Sequence, residues 1–374
     1  MNTREIVIWA HSECRSTMAL FREVKRLSGV PVTIALWKHG NDDDVRMSRE
    51  TCGQPAGQYA DLGLVPVGED FEKGMSLLAK HRGPGSVHVF CVYQNSPVWR
   101  KLVLNAKDLG SRVVVYAEAP CEMCTGVKAL AKRLYYRFIL PFKVRKVAKA
   151  ADLFLNQSGV KGVGRLLRLG WAKEKIVPFG YASEVGMIFT QRRITAPCGW
   201  TRPVVKRPSR AERVPRGAEP GSCLHVLHTG VESKYRDVGT LRCAADLLRK
   251  RGIDVEVKYT GGKVDAANLP GLYAWADVFV ACGLCEPWGM RVNDAIHAGL
   301  PVIVSDGMGA KWLVEQFGCG CVYRHRDVHE LADVLERMAK DADFTARIKS
   351  GVKAAHEAWK PEKRAKDFLE IIER

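Results

Sequence analysis

Two carboxylates eight residues apart offer the first chemistry in this chain. Glu286 stands in a Glu-Pro-Trp-Gly turn, and Asp294 follows in the run Met-Arg-Val-Asn-Asp. Pro287 and Gly289 mark the start of a helix, whose first N–H groups lack partners within the helix and favour an anion such as a diphosphate. With a helical rise between them, the two carboxylates stand about 12 Å apart. That spacing is of the order of the reach between the two sugar rings of a nucleoside-diphosphate sugar. A carboxylate at each end can accept hydrogen bonds from vicinal hydroxyls while the helix tip holds the phosphates.

Two further groups fit the same chemistry. His228-Thr229-Gly230 closes an apolar run and is followed by Lys234 and Arg236. Fixed positive charge there offsets the negative charge that grows on a leaving phosphate oxygen; taken alone, both side chains also read as solvated loop charges. Further upstream, Val113–Tyr116 is an apolar run that leads through Ala117 to Glu118. Glu118 can position a sugar or accept an acceptor's proton, or it can simply pair with a neighbouring base.

The elements that must hold these residues alternate between strand and helix. Ile6–Trp9, Pro31–Leu36, Val87–Val92 and Arg112–Tyr116 read as buried strands, with helices following Met18 and over Val98–Leu109. Residues 40–86 carry many turn formers and give no clear element. Five prolines and eight basic residues between 190 and 221 make a boundary or a surface excursion. The alternation then restarts: strands Leu224–His228, Val255–Thr260, Trp275–Ala281 and Pro301–Ser305, and helices Val238–Lys250, Gly289–His297, Lys311–Gln316, Val328–Met338 and Val352–Glu373, the last with a kink or restart at Pro361. This rhythm predicts two parallel sheets, each covered by helices on both faces. The expected division is 1–189, a linker at 190–221, 222–352, and a C-terminal helix at 353–374 that can pack back on the first domain. Neither half has a GxGxxG or a GxxxxGK[ST] in the required context, which weighs against a dinucleotide dehydrogenase and a P-loop NTPase.

The segment Glu286–Asp306 resembles the donor-site motif of retaining glycosyltransferases of the GT-B fold, specifically glycosyltransferase family 4. The likeness rests on Glu286-Pro287-Trp288-Gly289, Asp294, Ala298–Ile303 and Ser305-Asp306. It implies two Rossmann-like α/β/α domains facing each other across a cleft. It further implies that Glu286 contacts the transferred sugar, Asp294 the ribose, and the backbone of Gly289 and Met290 the diphosphate. Trp288 would complete the donor site, and Gly230, Lys234 and Arg236 resemble the family's Gly…Lys loop. Asn156-Gln157-Ser158 and Ile176–Gly180 resemble the strand ends that close the family's first domain.

The likeness covers the second domain well and the first in outline. Glu118 stands where the family often has a histidine. The loop Ala10–Thr17 lacks the family's two glycines, so His11, Arg15 and Ser16 are the acceptor-side or loop candidates. Asp294 is one methylene shorter than the usual glutamate. Only about a dozen residues separate Gly261 from Trp275, where the family inserts a strand–helix unit beside the nucleobase.

Composition limits the alternatives. The chain has 374 residues, 47% hydrophobic and 26% charged, a globular mixture long enough for two domains. It has no apolar run of the roughly 20 residues a membrane helix needs, and no signal peptide is expected. Twelve cysteines include the pairs Cys121/Cys124 and Cys282/Cys285, too far apart in sequence for an ordinary zinc ribbon and read as buried small hydrophobes. The net charge of +17 lies wholly in residues 1–221, since 222–374 balances 22 basic against 22 acidic residues. Lys128–Lys149 holds eight cations and no acid, interleaved with apolar and aromatic residues. As one or two amphipathic helices it can lie on an anionic membrane surface, or it can pack on the core with a solvated basic face. Nothing in it resembles a nucleic-acid motif, and no nucleic acid is expected.

The expectation is thus a cytoplasmic glycosyltransferase, peripheral on the inner face of the membrane if that surface binds lipid. It takes a nucleoside-diphosphate sugar and a glycan or lipid-linked acceptor, and needs neither metal nor cofactor. The rivals are a non-catalytic nucleotide-sugar-binding protein of the same fold and an enzyme of another reaction, such as a phosphorylase or epimerase.

Overall fold

The computed structural model describes residues 3–37, 59–91, 93–94, 96–121, 126–182, 223–230, 233, 235–261 and 268–374, with backbone only at 15 and 16. Lys234, Cys124, the segment 190–221 and the side chains of Arg15 and Ser16 lie outside the described residues.

In the first half, β1 (Glu5–Ala10) leads through α1 (Arg15–Leu27), β2 (Val32–Leu36), β3 (Val65–Pro66), α2 (Phe71–Lys80), β4 (Ser86–Phe90) and α3 (Pro97–Asp108) to β5 (Arg112–Ala117). Then α4 (Val127–Leu134) continues through a wide π-turn at Tyr135–Ile139 into α5 (Leu140–Ala150), followed by β6 (Leu153–Asn156), α6 (Val163–Arg168) and β7 (Ile176–Pro178). The strands form one sheet in the order 3-2-1-4-5-6-7, parallel throughout.

The second half repeats the plan with β8 (Leu224–His228), α7 (Val238–Lys250), β9 (Val255–Tyr259), α8 (Leu269–Trp275), β10 (Val278–Ala281), α9 (Met290–His297), β11 (Val302–Ser305), α10 (Lys311–Phe317) and β12 (Gly320–Tyr323). Its sheet runs 12-11-10-8-9, again all parallel. Helices α11 (Val328–Lys340), α12 (Ala342–Ala358) and α13 (Pro361–Glu373) finish the chain.

The residue types explain the elements. Strands covered on both faces are mostly apolar: β10 is apolar throughout and fully buried, while β4, equally buried, admits Ser86 and His88 because each is hydrogen-bonded, to Glu5 (2.6 Å) and to the His81 carbonyl (2.7 Å). Alternate residues of β1 feed opposite cores: Val7 and Trp9 join Phe90 and Trp99, while Ile6 and Ile8 join Phe21 and Val24. Helix starts are fixed by side chains that accept free N–H groups: Asp70 from Lys73, Ser96 from Trp99, Asp327 from Glu330 and Asp341 from Phe344. Each such cap contributes about 1 kcal/mol.

Helix α13 lies on the first domain. Ala365, Phe368 and Ile372 enter its core, with the Phe368 ring 5.6 Å from Tyr116 and 5.8 Å from Phe179. The buried Arg364 guanidinium donates to the Phe179 carbonyl at 2.9 Å and lies 3.9 Å over the Phe179 ring.

Several boundaries differ from the sequence reading. Trp275 ends α8 instead of opening a strand; its ring packs on His225 (4.7 Å) and under Lys258 (3.7 Å), an apolar anchor beside the strand. The long C-terminal helix begins at Ala342, breaks after Ala358 and restarts at Pro361. β3 and α2 fall in the stretch 40–86 that gives no clear element, and β12 is not among the expected strands; each is short or carries Gly or Pro.

Candidate active site

In an open parallel sheet, ligands bind beyond the strand ends where the strand order reverses. In the second sheet that point lies between β8 and β10. β8 ends at His228 and continues into Thr229-Gly230; β10 ends at Ala281 and continues into the loop that carries Glu286.

The Glu286 loop is held by a second loop running beside it. Glu286 N–H donates to the Gly307 carbonyl (3.1 Å), Gly309 N–H to the Glu286 carbonyl (3.1 Å) and Ala310 N–H to the Trp288 carbonyl (3.0 Å). This close approach requires glycine: a Cβ at Gly309 would fall 1.8 Å from the Pro287 carbonyl oxygen. Ser305 ties the base of the loop, its hydroxyl donating to the Gly283 carbonyl at 2.5 Å. Gly289, at φ 110°, turns the chain into α9 in a conformation other residues rarely adopt.

Around Glu286 the side chains are cationic. Arg291 donates to its carboxylate at 3.2 Å and, through its other terminal nitrogen, to the Thr229 carbonyl. Arg291 and Arg236 close on Gly230, where a Cβ would meet them at 2.5 and 3.0 Å. Burial first, then the Arg291 charge, lowers the Arg236 pKa, and Glu286 opposes that shift. His228 donates from Nδ1 to the Val280 carbonyl (2.8 Å), which fixes the tautomer. Burial and the two guanidiniums push its pKa down to about 4, so the ring is neutral at physiological pH. Gly230 N–H donates to the Thr260 hydroxyl at 2.9 Å. The buried Thr229 and Ser233 hydroxyls have no hydrogen-bond partner among the described residues. Buried polar atoms in that state usually await a ligand or water.

The first domain supplies the opposite wall. Glu118 follows β5 and accepts a hydrogen bond from the Tyr181 hydroxyl at 3.0 Å. Burial raises its carboxyl to about 7; the Tyr181 bond works against the rise, and the negative charge of Glu286 adds to it. The two carboxylates therefore sense each other across the cleft. Lys161 bridges the same gap, donating to the carbonyls of Glu286 (3.0 Å) and Gly307. The Cys121 thiol hydrogen-bonds the side chain of Cys285; that bond, then burial, raises its pKa. The two CxxC motifs thus meet through one member of each. Among the described residues, no three His, Cys, Asp or Glu side chains converge as a metal site.

Trp288 forms the floor. It is 1% exposed, donates to Asn293 at 2.8 Å, and stacks on Trp359 with ring centroids 6.1 Å apart. Gly159 and Gly180 admit it: a Cβ at either would come within 3.0 Å of its ring. The Tyr181 carbonyl accepts from Asn293 (2.8 Å) and from the Trp359 indole (2.7 Å), so Tyr181 joins Glu118 to the second domain. Asp294 is half-buried on α9, and Met290 packs half-buried on the second core. His11 is exposed past the end of β1, its ring 4.8 Å from Trp37.

The structure thus brings Glu118, Glu286, Gly230 and Arg236 to one cleft, with Gly289 beside Glu286. Arg291, Tyr181 and Lys161 were missed by sequence reasoning. Arg291 had a signal, its place in the first turn of the helix after Gly289; the other two become visible only through contacts made across the domains.

Comparison with known proteins bears on the fold and on the second domain. Residues 238–354 match the family described as Glycosyl transferases group 1. Mannosylfructose-phosphate synthase of Agrobacterium fabrum is 29% identical over 87 residues, a match that spans 23% of this chain and only 19% of that protein. Among solved structures, Anabaena HepE in complex with UDP and glucose superposes with a TM-score of 0.63 over 99% of each chain at 13% identity. The catalytic domain of starch synthase IV from Arabidopsis thaliana, bound to ADP and acarbose, gives 0.60 at 13% identity, covering all of this chain and 99% of that one. The chain therefore has the GT-B fold, two Rossmann-like domains across a cleft, and its second half resembles the group 1 glycosyl transferases over residues 238–354.

Proposed function

We propose that this protein is a retaining, family 4-type glycosyltransferase that moves a hexosyl group from a nucleoside-diphosphate sugar to a hydroxyl of a glycan or lipid-linked acceptor. One observation carries the reading: Arg236 and Arg291 converge on Gly230 beside Glu286, at the reversal point of the second sheet. Two guanidiniums, the first N–H groups of α9 and the Thr229 and Ser233 hydroxyls form a receptor for a diphosphate. Lys234, four positions after Gly230 in the sequence, is a third candidate cation.

In the proposed reaction the bond from the anomeric carbon to the β-phosphate oxygen breaks. Its electrons stay on the diphosphate, where the guanidiniums offset the growing charge. The acceptor oxygen bonds to the anomeric carbon and gives up its proton. Glu286 orients the transferred sugar and Asp294 holds the ribose. Glu118, with a carboxyl that titrates near neutrality, binds the acceptor hydroxyl and takes part in moving its proton. His11 is assigned to the acceptor side. Trp288 works by holding Asn293 and the Glu286 loop in place. The cations do the work of a divalent ion, so neither metal nor cofactor enters. HepE and starch synthase IV carry UDP and ADP respectively, which leaves the base to experiment.

A thermal-shift panel of UDP, ADP, GDP and their glucose, galactose and mannose conjugates tests the site. A member of the panel raises Tm of the wild type, and Arg291→Ala abolishes most of that rise. The same conjugate then releases nucleoside diphosphate faster when an acceptor is present, which separates a transferase from a binding protein. No shift with any member overturns the reading.

A further inference from the structure

The surface built by α4, the π-turn and α5 carries apolar side chains on the wrong side. Val127, Leu130, Leu134, Phe138, Ile139 and Phe142 are exposed, Val127 by 83% and Phe142 by 84%. Only Ala129 of α4 is buried, while Leu140, Val144, Val147 and Ala148 anchor α5 to the first core. Val127, Leu130 and Leu134 recur at i, i+3 and i+7, one stripe of a helix facing away from the protein. Grouped large side chains of this kind mark a contact surface.

Charge identifies the partner. All eight Lys and Arg between 128 and 149 are exposed, the segment has no acid, and none of the eight is ion-paired with a described residue. A second copy of the chain would set one cationic face against another, which is unfavourable. Nucleic acid would satisfy the cations, but Val127, Leu130, Leu134 and Ile139 have no π-face for a base to stack on. An anionic lipid surface satisfies both sets: headgroups meet the cations, and the apolar stripe enters the boundary between headgroups and acyl chains.

We infer that α4, the π-turn and the start of α5 form a docking surface for an anionic bilayer. The Tyr136 hydroxyl donates to the Cys121 carbonyl at 3.5 Å, three residues beyond Glu118, so this surface hangs from the loop that forms the first-domain wall of the cleft. Docking therefore puts that wall beside the membrane. The inference does not depend on which reaction the cleft performs.

Co-sedimentation of the full chain with phosphatidylcholine vesicles, with and without phosphatidylglycerol at about one third of the lipid, tests it. Binding appears with the anionic vesicles and weakens as salt rises. Phe138→Ser/Phe142→Ser lowers the bound fraction constant about tenfold or more, with Tm unchanged and the nucleotide-dependent Tm shift retained. Lys132→Glu/Arg133→Glu on the same helix lowers it as well. Binding that ignores lipid charge, or that both variants leave intact, overturns the inference. So does single-stranded RNA that displaces the vesicles and binds both Phe→Ser and wild-type proteins equally. Loss of the nucleotide shift in wild type would count against the cleft reading alone.

Discussion

The two glutamates that face each other across the cleft live in opposite surroundings. Glu286 lies against the Arg291 guanidinium on a loop whose backbone is bonded to its neighbour at three places. Glu118 has a single hydroxyl, that of Tyr181, and burial raises its carboxyl to about 7. The first arrangement fixes a carboxylate within a cationic receptor. The second leaves a carboxyl able to gain or lose a proton at physiological pH. The domains divide in the same way, since residues 222–374 are charge-balanced and the whole excess of +17 lies before them. Under the proposed function, one wall of the cleft recognises a charged donor and the other faces the acceptor.

The largest effect is expected at Glu286. Glu286→Gln keeps the shape but removes the charge between two guanidiniums and the sugar. We expect kcat/KM for the active nucleotide-sugar to fall about 10³-fold, mostly in kcat. A fall of only a few-fold would place Glu286 in the scaffold and not at the sugar.

Glu118→Gln comes next, with an expected loss of about 10²-fold in kcat at pH 8. Wild-type kcat should rise through an inflection near pH 7 as the carboxyl ionises, and the variant should lose that inflection. Stability runs the opposite way. The folded carboxyl holds its proton up to about 7 and the unfolded one only to about 4.5. Between those values the native state binds more protons, so stability falls as pH rises through that window. The variant escapes this loss, and denaturant titrations should show it gaining about 1–3 kcal/mol on wild type between pH 5 and pH 8. Parallel stability curves would remove the buried-carboxyl account.

These two residues were not equally legible in the sequence. The donor side is written locally: Glu286, Pro287, Gly289 and Asp294 lie within nine positions, and a strand–turn–helix must place them at a strand end. Both sheets and most helices followed from apolar runs and periodicity for the same reason. Glu118 was visible only as a strand-end acid, because its properties come from Tyr181, 63 positions away. Lys161 reaches 125 and 146 positions to the carbonyls it binds, and no local pattern encodes such contacts. Trp288 shows the opposite error: its place in the motif pointed to a ligand, while Gly159 and Gly180 open the space that buries it.

That burial gives a test of how the walls are joined. Gly180 has φ 79°, and an added Cβ would stand 2.5 Å from the Trp288 ring. Gly180→Ala combines backbone strain with overpacking and should lower stability by about 1–3 kcal/mol. Gly164, in α6 with nothing within 4 Å of an added Cβ, is the control. Gly164→Ala should be neutral or stabilise by up to about 1 kcal/mol. Similar Tm changes in both variants would mean that Gly180 is not needed to seat Trp288.

The smallest effect is the most specific to the contrast between the walls. The Tyr181 hydroxyl donates to Glu118 and favours its charged form, working against burial and the Glu286 charge. Tyr181→Phe removes that donor and leaves the Tyr181 carbonyl, which Asn293 and Trp359 hold, in place. The inflection in kcat should move above pH 7, with Tm and the nucleotide-dependent shift nearly unchanged. Glu118→Gln/Tyr181→Phe should then show no further change in profile, because the second substitution acts only through a carboxyl that is already gone. An inflection that stays put in Tyr181→Phe would mean that Glu118 is not the group titrating, and the division of labour between the two walls would have to be redrawn.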